Sequence, residues 1–299
     1  MVKIRTILVR FTKIILGAIY VVIGKPGLKK ELTVFVFHDV TNKPRQHSLL
    51  SKTYCSENLF RSQIKWIKAE FKFIPLEVLG TNEASQKGAV ITFDDGYQSV
   101  STYAAPILVK EGVPFICFLN PDVAQGAINS STLVDFISNK QGKATNWGDS
   151  NPKFVERELA ELEPAELKQI QLNSGPYMSI EEIKRLEQFK NIRIGNHLSN
   201  HWYINSLSAS ELTAAVSKSQ FLLKTLSSNK DWFATPHGQA DKIKLQMIAG
   251  LGYRIIFSGK KNERFDECAI IPRIDMNTTI NSKLILMGSI FIAKLRDHF

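Results

Sequence analysis

Three cysteines in 299 residues cannot hold this fold together. Cys55, Cys117 and Cys268 are odd in number, lie far apart and form no Cys-x-x-Cys pair, which excludes a disulfide framework. Cys117 sits in the apolar stretch PFICF and reads as a small core residue. Cysteine usage argues neither for nor against an oxidising compartment. The chain also lacks internal repeats and Pro/Ser-rich linkers, so nothing divides it into several globular units. No apolar run reaches the roughly 20 residues of a spanning helix. The longest N-terminal run, residues 14–24 (IILGAIYVVIG), has the length of a signal-peptide core, but KPGLKK follows it and no A-x-A cleavage site does.

Acidic residues are missing from the first thirty positions. Lys3, Arg5, Arg10, Lys13, Lys25, Lys29 and Lys30 all precede the first acid, Glu31, so much of the net charge of +10 belongs to this segment. Basic and apolar residues together are what a segment lying on an anionic bilayer needs. Residues 1–30 are therefore expected to be an uncleaved, membrane-associating arm, the plain alternative being a first helix packed on the domain. No aromatic-plus-basic surface pattern accompanies the charge, so no nucleic-acid partner is expected. Such an arm is expected to hold the protein beside a membrane. Basic residues on both sides of the run leave the membrane side unread.

Beyond residue 31 the composition is that of a folded domain, 44% apolar and 22% charged. Seven strand candidates alternate with helices, near 32–38, 89–93, 114–119, 192–195, 232–238, 253–257 and 271–275. Ser56 caps a helix over 56–71, and 179–189, 208–226 and 240–249 read as further helices. Residues 284–295 are apolar enough for a docking helix or a second membrane contact. The pattern loosens over about 120–178, which we read as an inserted helical and loop region over the face where strands end. Alternating strands and helices predict α/β architecture, a parallel sheet or a barrel.

The polar residues at strand ends narrow the function. AVITFDDGY, residues 89–97, is a buried strand running into Asp94, Asp95 and a turning glycine. Alone, it is most simply an Asp-Gly turn. His38, His197, His201 and His237 also fall at C-terminal ends of strands, where parallel α/β folds bind ligands. In HLSNH, His197 and His201 are four apart, and a helical turn would bring both imidazoles to one side, able to hold one metal ion. Adding a carboxylate leaves coordination positions open, as in catalytic sites, and frees the second Asp to act as a base.

TFDDG, then His-x-x-x-His, then F-x-x-P-x-G resemble the polysaccharide deacetylase family, the NodB-homology carbohydrate esterases, over about residues 32–275. FHDV near the start and IPRID near the end resemble the branch containing the exopolysaccharide (poly-N-acetylglucosamine) deacetylases. The resemblance implies a distorted (β/α)7-type barrel over 31–299 and a divalent metal ion, zinc above others, on Asp95, His197 and His201. It implies Asp94 as the base that deprotonates the attacking water and the backbone N–H of His237 as an oxyanion donor. His38 would be the acid that protonates the leaving amine, its alternative being a satisfied histidine at a strand end. Arg273 would pair with Asp94, or else be a surface arginine. The implied substrate is an N-acetylated amino sugar in a bacterial surface glycan or its lipid-linked precursor. A deformylase, an O-deacetylase and a non-catalytic glycan-binding relative are the alternatives. Three positions depart from the family pattern: Leu198 where Ser or Thr usually follows the first metal histidine, Ala234 where the third motif often opens with Arg, and His237 in place of an aromatic.

Overall fold

In the computed structural model, residues 2–27, 32–79, 88–224, 226, 231–259, 262–265 and 267–298 are described. The turn-rich stretch before residue 88 and the arm–domain boundary at 30/31 lie outside them. Among the described residues the strands are β1 (Leu32–Phe37), β2 (Asp39–Val40), β3 (Tyr54–Cys55), β4 (Gly88–Phe93), β5 (Phe115–Leu119), β6 (Ile192–Asn196), β7 (Trp232–Ala234), β8 (Ile255–Phe257), β9 (Glu263–Phe265), β10 (Cys268–Ile271) and β11 (Arg273–Asp275).

Continuous apolar strands need cover on both faces, and here each face finds a different core. Val34, Val90, Ile116, Phe118, Trp232, Ala234, Ile255 and Phe257 meet in one buried cluster. Their neighbours Phe35, Phe37, Ile91, Phe93, Phe115 and Cys117 turn the other way and pack with helical residues such as Phe60, Ile64 and Ile67. The first set fills the inside of a barrel and the second seats the helices around it.

Strands β1, β4, β5, β6, β7 and β8 run parallel in that order. The ring closes through one interrupted strand. β10 pairs parallel with β8, β11 pairs parallel with β1, and only Pro272 separates them. Proline has no N–H to give a ladder, so the strand changes partner there. Counting that split strand once, the barrel has the seven staves expected. The antiparallel hairpin of β9 on β10 and the small β2–β3 ladder were not anticipated.

Local signals account for most helices. The Ser56 side chain accepts a hydrogen bond from the Leu59 N–H at the start of helix Glu57–Glu70. Ser179 with Glu182, and Ser208 with Glu211, form capping boxes for Ile180–Glu187 and Ala209–Leu223. The inserted region folds into short helices, among them Ser130–Lys140, Pro152–Glu161 and Pro164–Asn173, with a 3-10 turn at Trp147–Asp149.

The terminal helices, Val2–Val22 and Lys283–His298, pack on each other at reciprocal glycines. A Cβ on Gly17 would sit 2.0 Å from the Leu284 carbonyl oxygen, and one on Gly288 would sit 1.9 Å from that of Lys13. Tyr20 stacks on Phe291 with ring centroids 4.8 Å apart. Glu70 accepts from Lys25 and Lys283, each at 2.6 Å, and so ties both terminal segments to the body. The N-terminal segment is thus a helix whose inner face is packed, while Leu8, Phe11, Ile15, Ile19 and Val22 remain exposed. Among the described residues, no helix is long and apolar enough to cross a membrane.

Candidate active site

Parallel staves bring their C-terminal ends to one rim, and a cleft of about 380 Å³ opens there. His38 follows β1, Asp94 and Asp95 follow β4, His197 follows β6, His237 lies in the turn after β7 and Arg273 opens β11. All six and His201 line the cleft.

Main-chain geometry at this rim is unusual. Asp95, Leu198 and His237 take left-handed backbone conformations, with φ of 68°, 69° and 58°. Non-glycine residues adopt that region at a cost, and such strain concentrates at functional sites. HLSNH is not a helical turn, contrary to the expectation from its spacing. The loop is shaped by side chains instead: Asn196 Oδ1 accepts from the Leu198 N–H, and Asn120 Nδ2 donates to the His197 carbonyl. The unusual Leu198 does not face the cleft. Its side chain is buried with Leu133, Trp202 and Val216 in a third core cluster. Ala234 likewise points into the barrel interior.

Asp95, His197 and His201 each offer a ligand atom, all within 4.8 Å of one another. His201 Nε2 lies 3.2 Å and His197 Nε2 3.5 Å from Asp95 Oδ1. His197 Nδ1 is 2.8 Å from the Ala234 carbonyl, which can only accept, so that nitrogen carries a proton and Nε2 faces Asp95. Asp95 Oδ1 and His197 Nε2 are buried without hydrogen-bond partners. Two imidazoles and a carboxylate converging on such orphaned atoms fit a divalent metal ion. Burial pushes the Asp95 carboxyl up, but the neighbouring His201 and His197 outweigh it and hold Asp95 below the carboxylate range. Burial lowers His201 to about 4, leaving its imidazole neutral near pH 7.

Asp94 is set apart by Arg273, whose Nη1 and Nη2 donate to its two oxygens at 2.7 and 2.6 Å. Burial raises this carboxyl, yet the Arg273 and His197 charges win and hold it below its ordinary value. His197 Nε2 stands 3.7 Å from Asp94 Oδ2. Asp94 is therefore an oriented, ionised carboxylate beside the Asp/His/His cluster. The His237 ring lies 4.4 Å from that of His201, and burial drops its pKa well below the usual imidazole value.

Residues that sequence reasoning missed complete the wall. Ser131 and Trp147, from the inserted region, line the cleft. Ser131 Oγ is 2.6 Å from His201 Nδ1, and Trp147 lies against His237 with centroids 5.1 Å apart. His47 also lines the cleft, its Nδ1 held by a short contact to Asp135, which accepts from Thr145 through its other oxygen. His47 and Asp135 are 88 positions apart and carry no motif, so no spacing signal could have paired them.

The sequence profile of the polysaccharide deacetylase family matches residues 81–256. A search of curated protein sequences returns no match. Solved structures with the same fold include IcaB from Ammonifex degensii, 16% identical with a TM-score of 0.57, the match covering 87% of this chain and 97% of that one. The Streptococcus pyogenes deacetylase PplD, in complex with acetate, is 18% identical with a TM-score of 0.58, over 87% and 97% of the two chains. A de-N-acetylase from Aggregatibacter actinomycetemcomitans is 16% identical with a TM-score of 0.59, over 86% and 99%.

Proposed function

Because this chain belongs to the polysaccharide deacetylase family and is a carbohydrate deacetylase, we propose that it removes N-acetyl groups from an amino sugar. The sugar belongs to a bacterial surface polysaccharide or its lipid-linked precursor, and the work is done beside the inner membrane. The observation that carries the reading is the division of labour between two adjacent carboxylates. Asp95 joins His197 and His201 around orphaned atoms, whereas Asp94 is clamped by Arg273.

Asp95, His197 and His201 would hold the divalent ion, zinc being the best match to these donors. Such an ion supplies Lewis acidity and makes water acidic enough to ionise near neutral pH. Asp94, kept ionised and aimed by Arg273, takes a proton from the attacking water. The main chain at His237, turned by its left-handed conformation, gives an N–H to the oxygen of the tetrahedral intermediate. The amide C–N bond then breaks, and His38 delivers the proton without which an amine leaves poorly. Acetate and a free amino sugar are the products.

Asp94→Asn tests the assignment. Acetate release should fall roughly a thousandfold, the scale of a lost general base, while bound metal stays near one ion per chain. Wild-type protein that binds no metal and releases no acetate from N-acetylated glycans would replace the enzyme with a glycan-binding relative.

A further inference from the structure

The catalytic cleft does not end at the barrel rim. Beyond Asp275, Met276 and Asn277 its wall is made by Ala293 and Arg296 of the C-terminal helix. That helix is rooted in the core through Ile285, Leu286, Met287 and Ile290. Its other neighbour is the N-terminal helix, held backbone to backbone at Gly17 and Gly288. One helix, about 10 Å thick, therefore touches both the reaction cleft and the most apolar surface of the molecule.

Leu8, Phe11, Ile15, Ile19 and Val22 recur at three- and four-residue intervals, so they form one stripe, roughly opposite Gly17 and Tyr20. Val22 is 84% exposed, Phe11 63% and Leu8 61%. A contiguous apolar stripe of this length on a water-facing helix needs an occupant. Charge identifies it: the first thirty residues hold seven Lys and Arg and no acid, so an anionic surface is favoured. Among the described residues no helix is long and apolar enough to cross a bilayer, and this amphipathic one suits a place in the interface. At the cleft's far end, Asp275 and Arg296 both line the wall, and the half-buried Lys13 behind them lies close enough to feel both charges. Among the described residues there, two cations face one carboxylate where the cleft meets the helix pair.

We propose that the exposed stripe seats the protein on an anionic bilayer and that the substrate is an amino sugar carried on a lipid phosphate, the phosphate held by Arg296 beside Lys13 while the sugar reaches Asp94 and Asp95. This rests on the deacetylase reading and selects the lipid-linked class within it.

Flotation with phosphatidylcholine vesicles, with and without phosphatidylglycerol, tests the surface. Wild-type protein floats with the anionic vesicles. The variant Leu8→Ser, Phe11→Ser, Ile15→Ser, with an unchanged melting temperature, binds them at least about tenfold less. Acetate release is then compared between a soluble N-acetylglucosamine oligomer and an N-acetylhexosamine on polyprenyl phosphate in the same vesicles. The stripe variant lowers the ratio of lipid-linked to soluble rate about tenfold or more, and Arg296→Gln raises the KM ratio about tenfold through loss of a charge-assisted contact. Wild type that stays with the soluble fraction overturns the proposal. So does a stripe variant that binds as well as wild type, or one that only converts a dimer to a monomer, which assigns the stripe to a second copy. Unchanged ratios in both variants overturn the substrate class. Should neither substrate yield acetate, the deacetylase reading fails, and flotation with and without the lipid-linked sugar decides this inference by itself.

Discussion

At the barrel rim, Asp94, Asp95 and His197 are buried and carry charge or strong polarity, whereas on the N-terminal helix Leu8, Phe11 and Ile15 stand more than half exposed. Each region inverts the ordinary placement of its residue types. The rim tolerates the inversion through pairing: Arg273 compensates Asp94, and two imidazoles converge on Asp95. The helix has no such internal remedy, because among the described residues nothing covers its outer stripe. Buried charge thus marks where chemistry is done, and exposed grease marks where the molecule meets its surroundings.

The rim side of the comparison breaks most sharply at Asp95. Asp95→Asn should take bound metal from about one ion per chain towards none and lower acetate release by roughly a thousandfold, the order expected when the ligand that completes a catalytic site is lost. Metal analysis and acetate assays check this. A chelator should lower the melting temperature of the wild type and leave that of Asp95→Asn unchanged, since ligand binding stabilises only a protein that still has its site.

The helix side is weaker and should break in proportion. In Gly288→Val, a side chain must fit where a Cβ already lies 1.9 Å from the Lys13 carbonyl oxygen. Overpacking of this kind costs about 1–3 kcal/mol, and urea unfolding should show it, with proteolytic nicking in the first 27 residues as the local signature. Metal content should be unaffected.

The smallest effect sharpens the boundary between the two regions. Glu70 is held below its ordinary pKa: burial alone would raise it, but Lys25 and Lys283 outweigh burial. A depressed carboxylate contributes stability above its unfolded pKa and loses it as pH falls through the folded value. Acidification below about pH 4.5 should therefore loosen the terminal helices. Glu70→Gln should cost about 1 kcal/mol at neutral pH and flatten that acid dependence, as read by melting temperature across the range.

Much of the fold was legible because strands and helices here announce themselves locally. Apolar runs such as LTVFVF and AVITF became staves, Ser56 capped its helix as expected, and the helices read near 179 and 208 begin on the capping serines Ser179 and Ser208. Asp94, Asp95, His38, His197, His201 and His237 stood out for their positions at strand ends, Arg273 only through the family resemblance, and the fold gathers all seven at one cleft. Long-range pairings stayed hidden. Nothing in a polar loop after β1 says that His47 will meet Asp135, or that a helix from the inserted region will set Ser131 beside His201. The i,i+4 spacing of HLSNH gave the correct proximity for the wrong reason, since asparagine side chains bend that loop. The basic apolar segment concealed its inner face because one glycine, Gly17, decides which side meets the C-terminal helix.

The proline-split stave has a consequence for how the chain reaches this state. β1 emerges early from the ribosome, yet one of its two edges stays open until Arg273–Asp275 has been synthesised. Pairings between such remote segments form slowly, and an unpaired apolar edge invites association with other chains meanwhile. Cylinder closure is thereby a late event, and nascent chains truncated before Pro272 should expose an adhesive seam rather than a finished domain.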